Sequence, residues 1–400
     1  MTLPTLDDLG DINGRCVFVR VDHNVPLKDG AVTDDARVRA SLPTLTELLD
    51  AGTSLVVASH LGRPKGEARD ELRMAPVADR LSELLERDVQ ALDEVVGDQV
   101  RAVCGHIEPG DVVYLENLRF DPREEMNDTG FAGELADLAD AYVDDAFGAV
   151  HRAHASVAAL AELFVKEGKP AVAGRLLQRE VDALSRLLND PDRPYIAVLG
   201  GAKVSDKLAT IIALVERVDA VLIGGAMAFT FLAADGGAIG DSLVEPDRFG
   251  EVRETRARAA ERGVLIQLPE DVVAASEVTA DASRETVPAS AIPRGMKGLD
   301  IGPRTVEEFA RSIADAKTIL WNGPMGVFEL EPFGAGTRGV ATAVAGANAY
   351  TVAGGGDSLA AVAKYGLQDG FDHLSTGGGA SLEFLEGRSL PGIAALETDR

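Results

Sequence analysis

Short β-branched runs alternate with helical patterns from one end of this chain to the other, and few architectures accommodate that alternation. In the first half Cys16–Val21, Ser54–Ser59, Asp111–Leu115 and Ala141–Val143 read as strands; in the second, Tyr195–Leu199, Ala220–Ile223, Val264–Gln267, Thr318–Leu320, Ala349–Val352 and Asp372–Leu374. Strands separated by helices return in the same direction and pair in parallel. The clearest intervening pattern is Val204, Leu208, Ile211, Ile212, Val215 and Val218, whose intervals fall on a 3.6-residue period and predict a helix with one apolar stripe. The expected fold class is α/β, with two series of strands, each a parallel sheet flanked by helices. Between them Leu177, Val181, Leu184 and Leu188 form a narrow stripe on an otherwise polar helix, closed by the turn Asn189-Asp190-Pro191-Asp192-Arg193-Pro194. Such a segment reads as a connector. The expected division is a first lobe over 1–174, a connecting helix and hinge over 175–194, and a second lobe over 195–387.

The chain's 400 residues are enough for two or three domains at roughly 150 residues each. Its 65 acidic residues outnumber 39 basic ones, for a net charge of -26, which argues against a nucleic-acid or membrane-surface partner because both require a basic face. With 46% hydrophobic residues it is not a disordered polyanion. Cys16 and Cys104 sit in apolar stretches and read as buried free thiols. The apolar run from Ala220 to Ala234 is too short to span a bilayer, and residues 1–10 carry no secretory pattern, so a soluble cytoplasmic protein is expected. Nine lysines among so many carboxylates resemble the composition of proteins from salt-rich cytoplasm.

In open parallel sheets, ligands bind beyond the carboxyl ends of the strands. The unusual residues collect at those ends. In the first series they are Asp22-His23-Asn24, His60-Leu61-Gly62-Arg63, Glu116-Asn117-Leu118-Arg119 and Ala149-Val150-His151-Arg152-Ala153-His154, joined by Arg37 on the helix after the first loop. Arg37, His60, Arg63, Arg119 and Arg152 would form a basic rim suited to a small, highly anionic ligand. In the second series the strands run into glycine: Gly200-Gly201-Ala202-Lys203, Gly224-Gly225, Asn322-Gly323-Pro324, Gly354-Gly355-Gly356-Asp357-Ser358 and Ser375-Thr376-Gly377-Gly378-Gly379. Glycine lets backbone N–H groups approach phosphate, and a carboxylate such as Asp357 can meet a divalent metal there. Two other patterns carry less. His151 and His154 lack the further ligands a transition metal needs. Gly334-Ala335-Gly336-Thr337-Arg338-Gly339 matches GxGxxG but follows Pro332 and Phe333 instead of a strand, and so reads as a helix start.

Taken together, Arg20-Val21-Asp22-His23-Asn24-Val25-Pro26, Ser59-His60-Leu61-Gly62-Arg63-Pro64, Glu116-Asn117-Leu118-Arg119-Phe120, Ala149 to His154, Leu199 to Lys207, Trp321 to Glu329, Gly354 to Ser358 and Ser375 to Leu382 resemble the motifs of the phosphoglycerate kinases, in the family's order over nearly the whole chain. The composition adds a salt-adapted, haloarchaeal cast to the resemblance. It implies two Rossmann-like lobes, one binding 3-phosphoglycerate or 1,3-bisphosphoglycerate, the other ADP or ATP with magnesium, in a cytoplasmic monomer. Substrate roles then fall on Asp22, Asn24, Arg37, His60, Leu61, Gly62, Arg63, Arg119 and Arg152. Nucleotide roles fall on Gly201, Ala202, Lys203, Lys207, Gly224, Gly225, Asn322, Glu329, Gly354, Gly355, Gly356, Asp357 and Ser358, with Asp357 beside the metal and Arg37 and Lys203 catalytic. The final segment, 388–400, is implied to return to the first lobe. His23 stands where the family usually has phenylalanine.

The implied reaction suits these residue types. Its acceptor on the substrate side is a carboxylate with a pKa of roughly 4, already ionised, so no general base is needed. What remains is alignment, neutralisation of phosphoryl charge and exclusion of water by lobe closure. Two other readings stay open at this point: a nicotinamide dehydrogenase on a similar scaffold, which would bind NAD, and a two-lobed phosphometabolite-binding protein without turnover.

Overall fold

The computed structural model describes residues 3–397. The chain clusters into two compact units, one running up to Asp182 and resuming at Ser389, the other Ala183–Arg388, so that the boundary falls inside the helix Arg175–Asn189.

The first unit is built on strands β1 (Cys16–Val21), β2 (Ser54–Ala58), β3 (Val89–Ala91), β4 (Val112–Tyr114), β5 (Ala141–Asp145) and β6 (Ala171–Ala173). They form one parallel sheet in the order β3-β4-β2-β1-β5-β6. Because both faces are covered by helices, β1 reads Cys-Val-Phe-Val-Arg-Val and is buried from Val17 onward. Its one charged residue, Arg20, is fully buried. The chain leaves β1 toward β2 on one side and returns to β5 on the other, so the crevice at the carboxyl ends of β1 and β5 is the topological switch point.

The second unit repeats the plan with β7 (Tyr195–Leu199), β8 (Ala220–Ile223), β9 (Leu265–Gln267), β10 (Thr318–Asn322), β11 (Tyr350–Gly354) and β12 (His373–Ser375), in the parallel order β9-β8-β7-β10-β11-β12. Here the switch point lies between β7 and β10. Trp321 on β10 is fully buried in the core beneath it. Beside this sheet stands a three-stranded antiparallel sheet of Arg284–Pro288, Asp271–Ala275 and Lys297–Ile301.

Three features differ from the sequence reading. Strands β3 (Val-Gln-Ala) and β6 (Ala-Val-Ala) are edge strands with one β-branched residue each, so no run marks them in the sequence. The antiparallel sheet was not anticipated either. The stripe starting at Val204 becomes a helix only from Leu208 to Val215, because residues 204–207 belong to the turn that leaves β7; Val204 is nevertheless buried. No helix among the described residues is long and apolar enough to cross a membrane.

Candidate active site

In the first unit, the loops after β1, β2 and β4 are tied to one another by side chains. The Asp22 carboxylate lies 2.5 Å from the Arg37 guanidinium at the start of helix Ala36–Asp50. Asn24 Oδ1 accepts from the Gly62 N–H at 2.9 Å, and Arg119 donates to the Gly62 carbonyl at 2.7 Å. Asn117 brackets Leu61, accepting from its N–H at 3.1 Å and donating to its carbonyl at 2.8 Å. Leu61 therefore shapes the loop from a buried position, with its backbone groups already used. Gly148, after β5, completes the crevice: a Cβ there would lie 2.3 Å from Asp22 Oδ2, so only glycine admits the Asp22–Arg37 pair.

Charge is concentrated around His60. Arg20 donates to Ser156 Oγ at 2.8 Å, to the Val21 carbonyl and to His60 Nδ1 at 3.2 Å. A guanidinium has no acceptor, so Nδ1 of His60 accepts and its proton resides on Nε2. Burial, followed by the charges of Arg20, Arg119, His154 and Arg37, pushes the His60 pKa well down, and the ring is a neutral donor. Arg119 is almost completely buried; burial and then Arg20 lower it to about 10, and its Nε, which makes no hydrogen bond, lies 3.4 Å from the Glu125 carboxylate as an ion pair. A buried guanidinium whose Nε is met only by a carboxylate beyond hydrogen-bond geometry marks a place where a better-placed anion would be stabilised. Arg152 is half-buried beside His151, with its Nε 3.3 Å from the ring, and Arg63 is exposed on the loop after β2. Behind the rim, Ser156 passes the Arg20 charge to the buried Glu124, donating 2.6 Å to its carboxylate.

In the second unit, a cavity of about 370 Å³ opens at the carboxyl ends of β7, β8 and β10. Among the residues assigned from sequence, Gly201, Ala202, Gly225, Glu329 and Asp357 line it. Its volume suits a drug-sized or nucleotide-sized ligand. The loops of β7 and β10 touch directly: Gly200 N–H donates to the Asn322 carbonyl at 3.0 Å and Gly201 N–H to the Pro324 carbonyl at 3.1 Å. A Cβ on Gly200 would fall 2.1 Å from that Pro324 oxygen. Lys203 is exposed on the loop after β7, whereas Lys207 is half-buried and lowered to about 8 by that burial, against the pull of Asp206 and Asp357. Gly356 and Asp357 open helix Gly356–Tyr365, following Gly354 at the end of β11 and Gly355 at φ +90°.

Some assigned residues stand behind the surface. Ser358 is buried and accepts from the Gly323 N–H at 2.6 Å, and Asn322 donates to the Gly354 carbonyl at 2.8 Å. Gly224 packs on Met325, whose sulfur would be 2.3 Å from an added Cβ. These three hold the loops in place. The GxGxxG run opens helix Ala335–Ala345, where Gly336 N–H donates to the buried Asp300 carboxylate at 2.7 Å; its glycine admits that carboxylate. Sequence reasoning missed Arg20, although it lies in a quoted motif, because a strand interior does not ordinarily carry charge. It also missed the cavity walls Phe229, Val272, Leu299 and Asp300, two of which come from the antiparallel strand Lys297–Ile301.

Known proteins resemble this chain over nearly its whole length. The family model described as phosphoglycerate kinase matches residues 6–388. Proteins named phosphoglycerate kinase from Moorella thermoacetica and Thermomicrobium roseum are each 53% identical over 392 residues, 98% of either chain. A solved phosphoglycerate kinase from Coxiella burnetii is 41% identical with a TM-score of 0.89 over 99% of both chains; one from Pyrococcus horikoshii is 34% identical, at 0.85 over 98%. The relatives near 50% identity are bacterial, so the haloarchaeal cast suggested by composition is not supported. With a match across nearly the full length, and two doubly wound units whose strand ends carry a basic rim in one and a glycine-lined cavity in the other, the chain belongs to the phosphoglycerate kinase family.

Proposed function

We propose that the first unit binds 3-phosphoglycerate or 1,3-bisphosphoglycerate on the rim of Asp22, Asn24, His60, Arg63, Arg119 and Arg152, and that the second binds ADP or ATP in its cavity. Family membership makes the protein a phosphotransferase with ATP and ADP as co-substrates. The observation that carries the substrate assignment is the almost completely buried Arg119 guanidinium, tied to the Gly62 carbonyl, beside a neutral His60 whose Nδ1 is taken up by Arg20 and whose proton therefore lies on Nε2. In this reading Arg37 and Lys203 neutralise the transferring phosphoryl group. Because the two ligands are assigned to different lobes, transfer requires lobe closure. Formation of ATP from 1,3-bisphosphoglycerate and ADP in a coupled assay tests the activity; absence of turnover by folded protein would refute it.

Magnesium is expected at Asp357. The donor set fits: among the described residues no three His, Cys, Asp or Glu side chains gather into a metal cage, while Asp357 stands exposed on the cavity wall. Magnesium is typically held by one or two carboxylates together with nucleotide phosphates and water. Bound there, it would neutralise phosphate charge. Asp357→Asn is expected to weaken magnesium-dependent nucleotide binding while leaving 3-phosphoglycerate affinity nearly unchanged. Calorimetric titration of both ligands checks this, and equal losses at the two sites would contradict the assignment to separate lobes.

The protein is further read as a cytoplasmic monomer adapted to salt, supported by the net charge of -26, which favours solubility and repels nucleic acid and anionic lipid. Self-repulsion of that charge should be relieved as the Debye length falls from about 10 Å at 0.1 M to about 3 Å at 1 M salt. The melting temperature is expected to rise between those KCl concentrations. A flat or falling curve would remove the salt-adapted reading and leave the enzymatic one standing.

A further inference from the structure

Lys203 lies on a connection with no ladder of its own. Residues 200–207 join β7 to helix Leu208–Val215 without helix or strand hydrogen bonds to define them. Besides the Gly200 bond to Asn322, the buried Val204 and its turn to Lys207, the loop is gripped on both sides of Lys203. On one side of Lys203, Gly201 donates to the Pro324 carbonyl at 3.1 Å and accepts from the Met227 N–H at 3.1 Å. On the other side, Ser205 donates twice to Glu245, from its N–H to Oε2 at 3.0 Å and from its hydroxyl to Oε1 at 2.6 Å.

Glu245 is itself fixed from two directions. Its N–H donates to Thr230 Oγ1 at 3.2 Å, and Thr230 is buried on helix Met227–Ala234. Its carbonyl accepts from the Arg248 N–H at 3.0 Å in the turn that starts helix Phe249–Glu261. Both carboxylate oxygens therefore face the Lys203 loop from a rigid mount. Against the upward push of its burial, the Ser205 hydroxyl, the Ser205 and Val204 N–H groups and the Lys203 charge hold the Glu245 carboxyl below its ordinary range. The carboxylate is charged when it grips the loop, and charge-assisted bonds are the stronger kind.

We propose that Glu245 is a positioning residue for phosphoryl transfer: by clamping Ser205 it fixes the far end of the segment from which Lys203 projects. This rests on the assignment of Lys203 to catalysis above. Without the clamp, the segment around Lys203 is held beyond Gly201 only by the buried Val204 and its turn to Lys207, and the backbone freedom it gains opposes the transition state.

The test is a double-mutant cycle read by steady-state kinetics with ATP and 3-phosphoglycerate. Glu245→Ala is expected to lower kcat by about 10- to 100-fold, the scale of a misplacement of about 1 Å, with little change in KM for 3-phosphoglycerate. Glu245→Gln, which keeps a single acceptor oxygen, should fall between Ala and wild type. In a Lys203→Ala background, Glu245→Ala should cost almost nothing further, since the group it positions is gone. An equal loss in both backgrounds, or an unchanged kcat for Glu245→Ala, overturns the inference. If Glu245→Ala fails to fold by circular dichroism, Ser205→Ala, which removes the hydroxyl bond and keeps the backbone one, carries the same comparison. A Lys203→Ala variant with near-full kcat would instead overturn the catalytic assignment of Lys203, and this inference with it.

Discussion

Truncating Arg37 to alanine is expected to lower kcat by about 10²- to 10³-fold, the usual loss for one preorganised donor aimed at developing charge, with a much smaller effect on KM for 3-phosphoglycerate. The guanidinium stands ready because Asp22 grips it at 2.5 Å and because helix Ala36–Asp50 carries it at its first turn. An interaction so held costs no reorganisation when the phosphoryl group moves. Lys203→Ala should lose a similar amount, with added weakening of ATP binding. Steady-state kinetics on each variant decide the matter, given circular dichroism to show that both fold. If Arg37→Ala keeps near-full kcat and only raises KM, Arg37 docks substrate and takes no part in transfer.

The second large effect is on stability. Arg20→Ala is expected to destabilise the first unit by about 3–5 kcal/mol, the range found when one partner of a buried charge network is removed. Arg20 is fully buried, Ser156 links it to the equally buried Glu124, and its third contact supplies the donor that fixes the His60 tautomer. Removing it leaves Glu124 without its nearest compensating charge and His60 Nδ1 without a donor. Ser156→Ala, which breaks the bridge and keeps both charges, should cost about 1–3 kcal/mol. Urea unfolding followed by far-ultraviolet circular dichroism measures both losses. An Arg20→Ala protein as stable as the parent would mean that water replaces the guanidinium, and the network would have no structural role.

Much of this architecture was readable in the residues. Ten of the twelve parallel strands were legible, nine of them as short runs that carry β-branched residues, because strands covered on both faces must be apolar almost throughout. The basic rim and the glycine loops were readable for a related reason: arginine and glycine at strand ends are unusual, and the parallel topology brings those ends to one edge of each sheet. The edge strands Val89–Ala91 and Ala171–Ala173 were not readable, since Val-Gln-Ala and Ala-Val-Ala carry a single β-branched residue each and make no run. Nor was Glu245, which sits in the acidic stretch Asp241-Ser242-Leu243-Val244-Glu245-Pro246-Asp247 and reads there as one more solvated charge.

Local periodicity and steric need thus determined the fold class, the order of elements and the identity of the arginine- and glycine-bearing loops at the strand ends, because each depends on residues adjacent in sequence. Which of those residues face a ligand and which brace the loops was decided only in three dimensions. Asn322 and Ser358 carry polar side chains like their neighbours, yet they turn inward to hold the ends of β10 and β11. Arg20 and Arg119 are the same amino acid, but Arg20 hydrogen-bonds Ser156, the Val21 carbonyl and His60, whereas Arg119 Nε makes no hydrogen bond and meets Glu125 only as an ion pair at 3.4 Å. The difference arises from partners that come from distant parts of the chain, such as Ser156 for Arg20 and Gly62 for Arg119. Only folding sets those distances, and the distances set protonation, burial and role.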